Sequence, residues 1–355
     1  MPQLTGLQII DFKHKAGQDE LKEFSRNLFG DKFKDINRLI KAFDNSLIKT
    51  RNLCVPVDFF KSNKTFKEKN DLFIKISTDV LESLIKKSLR ETGISKSKIT
   101  DIIFITSTGI STPTIDSYLI NKLKLNKNIN RYPIWGLGCA GGVSGLNKAF
   151  KIANENKNSV VLFCAVELCS LTFIRNDFSK SNLIATSLFS DGAVSCLITG
   201  DNFKLKNNIS EIKYINSQSK IYYNTKDVMG WDVTQDGLKV IFSKDIPSLV
   251  SKYISPDIKK FLKQNNLKNT DIKNFIIHPG GIKVINAYKE SLNLKGNELN
   301  NTISVMQNYG NMSSVTAIYV LYEFLKKGFS NGLGLMASLG PGFSLDLLLL
   351  KMKNL

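Results

Sequence analysis

Histidine is scarce in this chain of 355 residues, which contains only His14 and His278. The five cysteines include no Cys-x-x-Cys pair, so we expect neither a zinc site nor a disulfide framework, and we expect a reducing, cytoplasmic compartment. No apolar run approaches the roughly 18 residues of a membrane-spanning helix. Residues 1–20 carry charges such as Asp11 and Lys13 and lack an apolar core, so we expect no signal peptide.

The charge is unbalanced, with 49 basic and 31 acidic residues and a net charge of +18. Such a charge suits nucleic acid, an anionic membrane surface or a polyanionic substrate. The lysines, however, are scattered among asparagines and isoleucines along the whole chain, and no arginine-rich arm or aromatic-basic alternation is found. We therefore expect no nucleic-acid partner. A non-catalytic nucleic-acid binder stays open as an alternative, and it predicts steeply salt-dependent binding.

Helical and apolar segments alternate along the chain. A helix over about Asp71 to Glu91 ends at Gly93 and precedes a short buried strand, Asp101 to Thr106. Further helices and strands follow in turn as far as the strand Ala193 to Thr199. This alternation predicts an α/β fold.

The second half of the sequence repeats the first. Residues 259–281 match residues 86–109 at an offset of 173, which places Ile103 on Ile276, and Cys139 matches Asn311 at an offset of 172. The matches predict two duplicated halves, 1–205 and 206–355, packed about a pseudo-twofold axis that brings the turns of Cys139 and Asn311 face to face. The alternative is that any two strand-helix units resemble each other.

A glycine-rich turn delivers Cys139 to the start of a helix. Gly136 to Gly142 follows an apolar run, and residues 143–153 then show helical spacing. Unpaired backbone N–H groups and the helix dipole favour a thiolate there, so Cys139 is a candidate nucleophile. Two alternatives remain: a buried structural thiol, and a dinucleotide-binding fingerprint, Gly136-x-Gly138-x-x-Gly141, that would use Glu167 in an NAD(P)-dependent oxidoreductase.

Two further polar residues stand in small-residue turns. His278 closes a predicted strand before Pro279-Gly280-Gly281 and is a candidate acid or base, although a structural histidine is possible. Asn311 lies in Tyr309-Gly310-Asn311-Met312-Ser313-Ser314. Alone, Asn311 would be interpreted as a helix N-cap.

Together these motifs resemble a known family. Gly138-Cys139-Ala140-Gly141-Gly142, His278-Pro279-Gly280-Gly281, the Asn311 turn and Leu339-Gly340-Pro341-Gly342 are similar to signatures of type III polyketide synthases, the chalcone and stilbene synthase family of the thiolase-like fold. Met229-Gly230-Trp231-Asp232 resembles the bacterial branch. The related initiating 3-oxoacyl-carrier-protein synthases are the nearest alternative.

The resemblance implies a chemistry. Cys139 would accept an acyl group from acyl-CoA with His278 as base and ion-pair partner, which lowers the pKa of the thiol. Decarboxylation of malonyl-CoA would give an enolate held by the His278 imidazole and the Asn311 amide. We expect a decarboxylative Claisen condensation without metal or organic cofactor, in a homodimer.

The resemblance also assigns supporting residues. It implies coenzyme A binding by Arg38 and Lys41, with the charge lost at a third such position, Asn45. It implies contacts with the substrate cavity for Phe189, Thr172, Ser313 and Thr112, the last reaching into the partner subunit's cavity. A second gatekeeper phenylalanine is replaced by Val240. This change predicts a wider entrance, a fatty acyl starter and alkyl pyrone or resorcinol products.

Overall fold

A computed structural model describes residues 1–203, 210–243 and 245–355 of the chain. Its strands, in chain order, are β1 (Gln3–Ile9), β2 (His14–Gly17), β3 (Thr50–Leu53), β4 (Asp101–Thr106), β5 (Asn130–Trp135), β6 (Val160–Leu168), β7 (Asp191–Thr199), β8 (Ser210–Ile221), β9 (Met229–Thr234), β10 (Gly237–Phe242), β11 (Ile272–Ile277), β12 (Gly332–Gly340) and β13 (Ser344–Asn354).

Its α-helices, in chain order, are α1 (Gln18–Phe29), α2 (Ile36–Leu39), α3 (Lys41–Asp44), α4 (Phe66–Thr92), α5 (Ile115–Leu123), α6 (Gly141–Glu155), α7 (Lys180–Leu188), α8 (Ile246–Leu249), α9 (Ser255–Gln264), α10 (Ile282–Ser291), α11 (Asn300–Tyr309) and α12 (Thr316–Lys327). A π-helical turn, Val250–Ile254, joins α8 to α9. None of the described helices combines the length and the apolar composition needed to cross a membrane.

The strand pairing of the main sheet is symmetric about its central junction. Its nine strands run in the order β11-β12-β13-β8-β1-β7-β6-β4-β5. In each half a parallel pair, β11 with β12 or β4 with β6, is followed by antiparallel strands up to the junction of β8 with β1. Strand β5 adds an edge to the first half only. This symmetry is the architecture that the duplicated halves predict.

The strand registers confirm the repeat. Ile103 pairs with Phe163, and Ile276 pairs with Met336. Each residue of the first pair precedes its counterpart by 173 positions (276 − 103 and 336 − 163), as the sequence predicts. All four side chains lie in the same apolar cluster. The proposed boundary between residues 205 and 206 lies outside the described residues.

Three apolar clusters fill the space between the strands and the helices that pack against them. The central cluster contains residues of α6 and α12 together with one face of the strands from both halves. Alternate residues of β4 and β6 face a second cluster that includes residues of α4 and α5. Residues of β11, β12 and β13 face a third that includes residues of α9 and α10. Strands buried on both faces show continuous apolar sequence, which explains why β4 and β6 could be recognised.

Candidate active site

The Cys139 turn packs closely against the second half of the chain. A 3₁₀ turn, Gly138–Ala140, precedes α6. Gly138 has φ of +48°, and a Cβ there would lie 2.6 Å from Cδ of Pro341. A Cβ on Gly142 would lie 2.0 Å from the carbonyl oxygen of Ser314. The glycines therefore permit both the backbone conformation and the close approach that position the cysteine.

Two side chains from the second half flank the Cys139 thiol. Its Sγ lies 4.0 Å from Oδ1 of Asn311 and 3.9 Å from Oγ of Ser313. The predicted face-to-face position of the two duplicated turns is confirmed by this contact. Ser313 thus stands beside the sulfur, and its φ of +50° is unusual for a residue with a side chain.

The Asn311 side chain is fixed by its oxygen. Oδ1 accepts a hydrogen bond of 2.9 Å from the Ser313 backbone N–H. The Asn311 backbone N–H donates to the Leu188 carbonyl, and its own carbonyl accepts from the Ser190 N–H. No hydrogen bond found within the described residues uses Nδ2 of Asn311. The oxygen therefore caps the following turn, as the simpler interpretation expects, while the amide N–H groups stay available to a ligand.

His278 lies at the carboxyl end of β11, and its ring has no hydrogen-bond partner among the residues that the structure describes. Its backbone N–H donates to the Ala337 carbonyl of β12 at 2.9 Å. The residue is 4% exposed, and neither ring nitrogen has a hydrogen-bond partner in the described part of the chain. Buried polar atoms without partners are rare and need an explanation. A ligand in the adjoining site is the explanation that the position favours.

Burial opposes charge on both groups. It raises the pKa of the Cys139 thiol from its usual 9.0 to about 12, partly offset by the contacts with Ser313 and Asn311. It lowers the pKa of His278 to about 4. Each group by itself is uncharged at neutral pH. The ion pair between Cys139 and His278 that the family resemblance implies stays a prediction.

Glu167 is a buried glutamate next to the site. The sequence analysis did not predict that it supports the two turns. Oε2 of Glu167 accepts hydrogen bonds from the Ser107 N–H at 3.0 Å and the Thr108 hydroxyl at 2.9 Å, and Oε1 accepts from the Ser314 hydroxyl at 2.5 Å. Oγ of Ser107 in turn accepts from the Gly138 N–H. Burial raises the pKa of Glu167 to about 7. This carboxyl group connects the Cys139 turn to the Asn311 turn.

The same contacts argue against the dinucleotide-binding alternative. Glu167, which would bind a ribose hydroxyl in that interpretation, is fully buried and engaged by protein donors. A Cβ on Gly141 would lie 2.9 Å from the Ile105 side chain. Gly138 and Gly141 face protein at close distance, whereas Gly136 faces open space. With Glu167 engaged by protein donors and two of the three glycines covered, the structure argues against this interpretation.

An apolar cavity opens close to Cys139. Its empty volume is about 640 Å³, which includes the open solvent at its mouth. Cys169 lines it and lies near enough to Cys139 for negative charge on one sulfur to raise the pKa of the other. Three residues predicted from the resemblance line it together: Thr172, Phe189 and Val240. Its remaining lining is largely apolar and includes Leu21, Phe24, Leu53, Val57, Phe60, Phe173 and Ile174.

Trp231 also lines the cavity. The sequence analysis used this residue only as part of a motif that resembles the bacterial branch of the family. It pairs directly with Val240 across the β9–β10 hairpin. Its ring centroid lies 6.1 Å from that of Phe189, with 53° between the ring planes. An indole therefore occupies the side of the cavity where the missing phenylalanine suggested open space.

The remaining predicted residues lie at the surface. Arg38, Lys41 and Asn45 are exposed on and after the short helices α2 and α3, which contact α7. Arg38 donates to the Asp35 carboxylate. Thr112 is exposed in the loop before α5 and does not line the cavity of its own chain. Their assigned roles stay predictions.

The fold and the paired turns define a thiolase-like condensing enzyme with a cysteine at the pseudo-twofold axis. The model for the N-terminal domain of chalcone and stilbene synthases matches residues 20–202, and the model for the C-terminal domain matches residues 213–353. The chain belongs to the chalcone and stilbene synthase family. It is a type III polyketide synthase, a decarboxylative condensing acyltransferase.

Named relatives cover nearly the whole chain. A Bacillus subtilis (strain 168) protein, whose description as a chalcone synthase is provisional, is 40% identical over 95% of this chain and 94% of its own. The 1,3,6,8-tetrahydroxynaphthalene synthase of Streptomyces peucetius subsp. caesius is 26% identical, over 95% and 90%.

Solved structures show the same fold. The 1,3,6,8-tetrahydroxynaphthalene synthase of Streptomyces coelicolor A3(2) has a TM-score of 0.93 at 20% identity, covering 99% of this chain and 100% of its own. The type III polyketide synthase domain of Steely1 from Dictyostelium has a TM-score of 0.89 at 28% identity, with 99% of both chains covered.

Proposed function

We propose that Cys139, His278 and Asn311 carry out acyl loading and decarboxylative condensation. The Cys139 sulfur attacks the carbonyl carbon of an acyl-CoA thioester while His278 accepts the thiol proton. The new C–S bond replaces the bond to coenzyme A, which leaves as its thiol with that proton. The observation that carries this proposal is the position of the Cys139 thiol, 4.0 Å from Oδ1 of Asn311, where the equivalent turns of the two halves meet.

Extension follows at the same site. The bond between the α-carbon and the carboxylate of malonyl-CoA breaks, carbon dioxide leaves, and the electron pair forms an enolate. Nδ2 of Asn311 and a ring N–H of His278 donate to the enolate oxygen, since both residues are buried and neither nitrogen has a hydrogen-bond partner among the described residues. The α-carbon then attacks the acyl-cysteine carbonyl, forming a C–C bond and releasing the Cys139 thiolate. These protein groups supply the chemistry, so we propose that no metal or organic cofactor takes part.

The starter is proposed to be a medium or long fatty acyl group, with alkyl pyrones or resorcinols as products. The cavity supports this because aliphatic and phenyl side chains line it as far as α1, where Leu21 and Phe24 lie. Trp231 narrows the cavity next to Val240. This narrowing disfavours a starter that would place a rigid aromatic ring of its own on that side. A flexible chain can follow such a bent apolar surface.

Mass spectrometry of released products tests the starter class. The protein is incubated with malonyl-CoA and acetyl-, hexanoyl-, lauroyl-, palmitoyl- or coumaroyl-CoA at equal concentrations. We expect the highest kcat/KM for a fatty acyl starter of at least six carbons. A higher value for coumaroyl-CoA would reject this starter class while leaving the family assignment intact.

Coenzyme A is proposed to bind beside α2 and α3. Arg38 and Lys41 are exposed there, and α7, which these helices contact, leads directly to Phe189 at the cavity. The exchange of both residues for glutamine should raise KM for acyl-CoA more than it lowers kcat. An unchanged KM would place the phosphates elsewhere.

The assembly is proposed to be a homodimer formed through the β5 edge. Tyr132 and Trp135 of β5 are 38% and 45% exposed, and Ile110 and Tyr118 nearby are 42% and 38% exposed. A bare sheet edge flanked by exposed apolar side chains favours a second copy of the chain. Light scattering should give twice the chain mass for the wild type and a smaller mass for Trp135→Glu. A monomeric wild type would reject the proposal.

The location is proposed to be cytoplasmic. All five cysteines are free thiols, which a reducing compartment preserves. Fractionation of the source cells with an antibody to the protein tests it, and recovery outside the cytoplasm would contradict it.

A further inference from the structure

Lys69 is a buried lysine that forms no salt bridge within the described residues, although the Asp236 carboxylate acts on it at longer range. It lies on α4 and is 5% exposed. Its Nζ donates to the Phe173 carbonyl at 2.9 Å and to the Asp236 carbonyl at 3.3 Å. Within the described residues it forms no ion pair. Burial lowers its pKa to about 8, so the ammonium form still predominates at pH 7.

The ammonium has one N–H more than its protein partners use. Three N–H donors are present on a lysine side chain, and two carbonyls engage two of them. Lys69 lines a small cavity together with Phe66, Asn70, Thr108, Leu171, Thr172 and Leu238. An ammonium in an apolar surrounding is strongly stabilised by any further acceptor.

The small cavity adjoins the apolar cavity. Thr172 and Leu238 line both cavities. Thr108, which also lines the small cavity, donates to Glu167, and Glu167 also accepts from Ser314 of the Asn311 turn. Lys69 therefore lies next to the wall of the apolar cavity that Thr172 and Leu238 form.

We propose that Lys69 binds a carbonyl or enolate oxygen of the growing polyketide through its third N–H. The inference rests on the proposed function, because a fatty acyl starter carries no oxygen beyond its thioester. The first keto oxygen appears only after one condensation. Lys69 therefore acts on extension and on the length of the released product, and has no part in loading.

The experiment compares Lys69→Met with the wild type and with Lys67→Met, an exposed lysine on the same helix. Intact mass measures loading of lauroyl groups on Cys139, and liquid chromatography with mass spectrometry measures products formed with malonyl-CoA. Loading should be unchanged in all three proteins. In Lys69→Met the ratio of the longest to the shortest product should fall about tenfold, the scale of losing a hydrogen bond to a charged group.

Two further measurements separate binding from a structural effect. Lys69→Arg should restore most of the ratio, and the fluorescence of Trp231, which lies on the hairpin that Lys69 contacts, should not shift in Lys69→Met. An unchanged product ratio, or a changed ratio accompanied by shifted fluorescence and impaired loading, would overturn the inference. A wild type that loads acyl groups but releases no polyketide would overturn the proposed function and this inference with it.

Discussion

The first half of the molecule presents a thiol at its central turn, whereas the second half presents a carboxamide at the equivalent turn. Cys139 and Asn311 are 172 residues apart, and their side chains meet at 4.0 Å. By the strand offset of 173, His278 occupies the position that Ile105 holds in the first half (278 − 105), where Ile105 packs in the apolar core. The two halves thus present matching turns with different side chains, which under the proposed function form one shared reaction centre.

The halves also differ in how their turns are supported. Glu167 at the end of β6 connects Ser107, Thr108 and Ser314. At the corresponding end of β12, Gly340 has no side chain, and a Cβ there would lie 2.6 Å from the Ala140 Cβ. One half therefore supports the site with hydrogen bonds, and the other makes space for it.

Removal of the thiol should have the largest effect on this division. Cys139→Ala is expected to abolish acyl loading and product formation, because no other group in the proposal forms the thioester. Intact mass after incubation with lauroyl-CoA should show an adduct on the wild type and on Cys54→Ala, and none on Cys139→Ala. An adduct on Cys139→Ala would place the nucleophile elsewhere.

Replacement of His278, the proposed base, tests proton transfer from Cys139 in one half to His278 in the other. In His278→Ala the rate of acyl loading should fall by about 100-fold or more, the scale of losing a general base. The apparent pKa of the thiol should be higher in His278→Ala than in the wild type, since the proposed imidazolium partner no longer stabilises the thiolate. Iodoacetamide alkylation followed from pH 5 to 10 measures this shift.

His14→Ala is the matched control for that measurement, as it removes the other histidine of the chain. Its alkylation profile should overlay that of the wild type. Identical profiles for His278→Ala and the wild type would show that His278 does not lower the pKa of Cys139.

Removal of the carboxamide should separate the two half-reactions. In Asn311→Ala we expect loading to continue while decarboxylation of malonyl-CoA falls by roughly 100-fold, the scale of one oxyanion donor. Asn308→Ala, at an exposed position near the end of α11, should keep both activities. An equal loss of both steps in Asn311→Ala would mean that its oxygen cap of the Ser313 turn is the whole of its role.

The smallest expected effect concerns the cavity wall. Val240→Phe should lower the ratio of kcat/KM for lauroyl-CoA to that for coumaroyl-CoA by roughly tenfold, because a ring beside Trp231 takes space from the acyl chain. Val233→Phe, at a position on the same hairpin that is 60% exposed, should leave the ratio unchanged. A matching ratio in both variants would show that Val240 does not set the starter preference.

Local patterns in the sequence were sufficient for the elements that are buried on both faces or clearly capped. The strand Asp101–Thr106 was predicted with its observed bounds. The helix expected to end at Gly93 does so, with Gly93 at φ of +68°. Strand β8, at the junction of the two halves, was not recognised: it is partly exposed and carries mixed polar residues, so it lacks a clear apolar period.

The sequence by itself identified the side chains proposed to react, because Cys139, His278 and Asn311 each stand in a small-residue turn and the repeat related two of those turns. Tertiary structure decided what surrounds them. Trp231 fills the space beside Val240 only because a hairpin places the two opposite each other. Glu167 and Lys69 acquire their positions from partners between 59 and 167 residues away in the chain. Burial then sets their charge, and no local pattern encodes burial by distant segments.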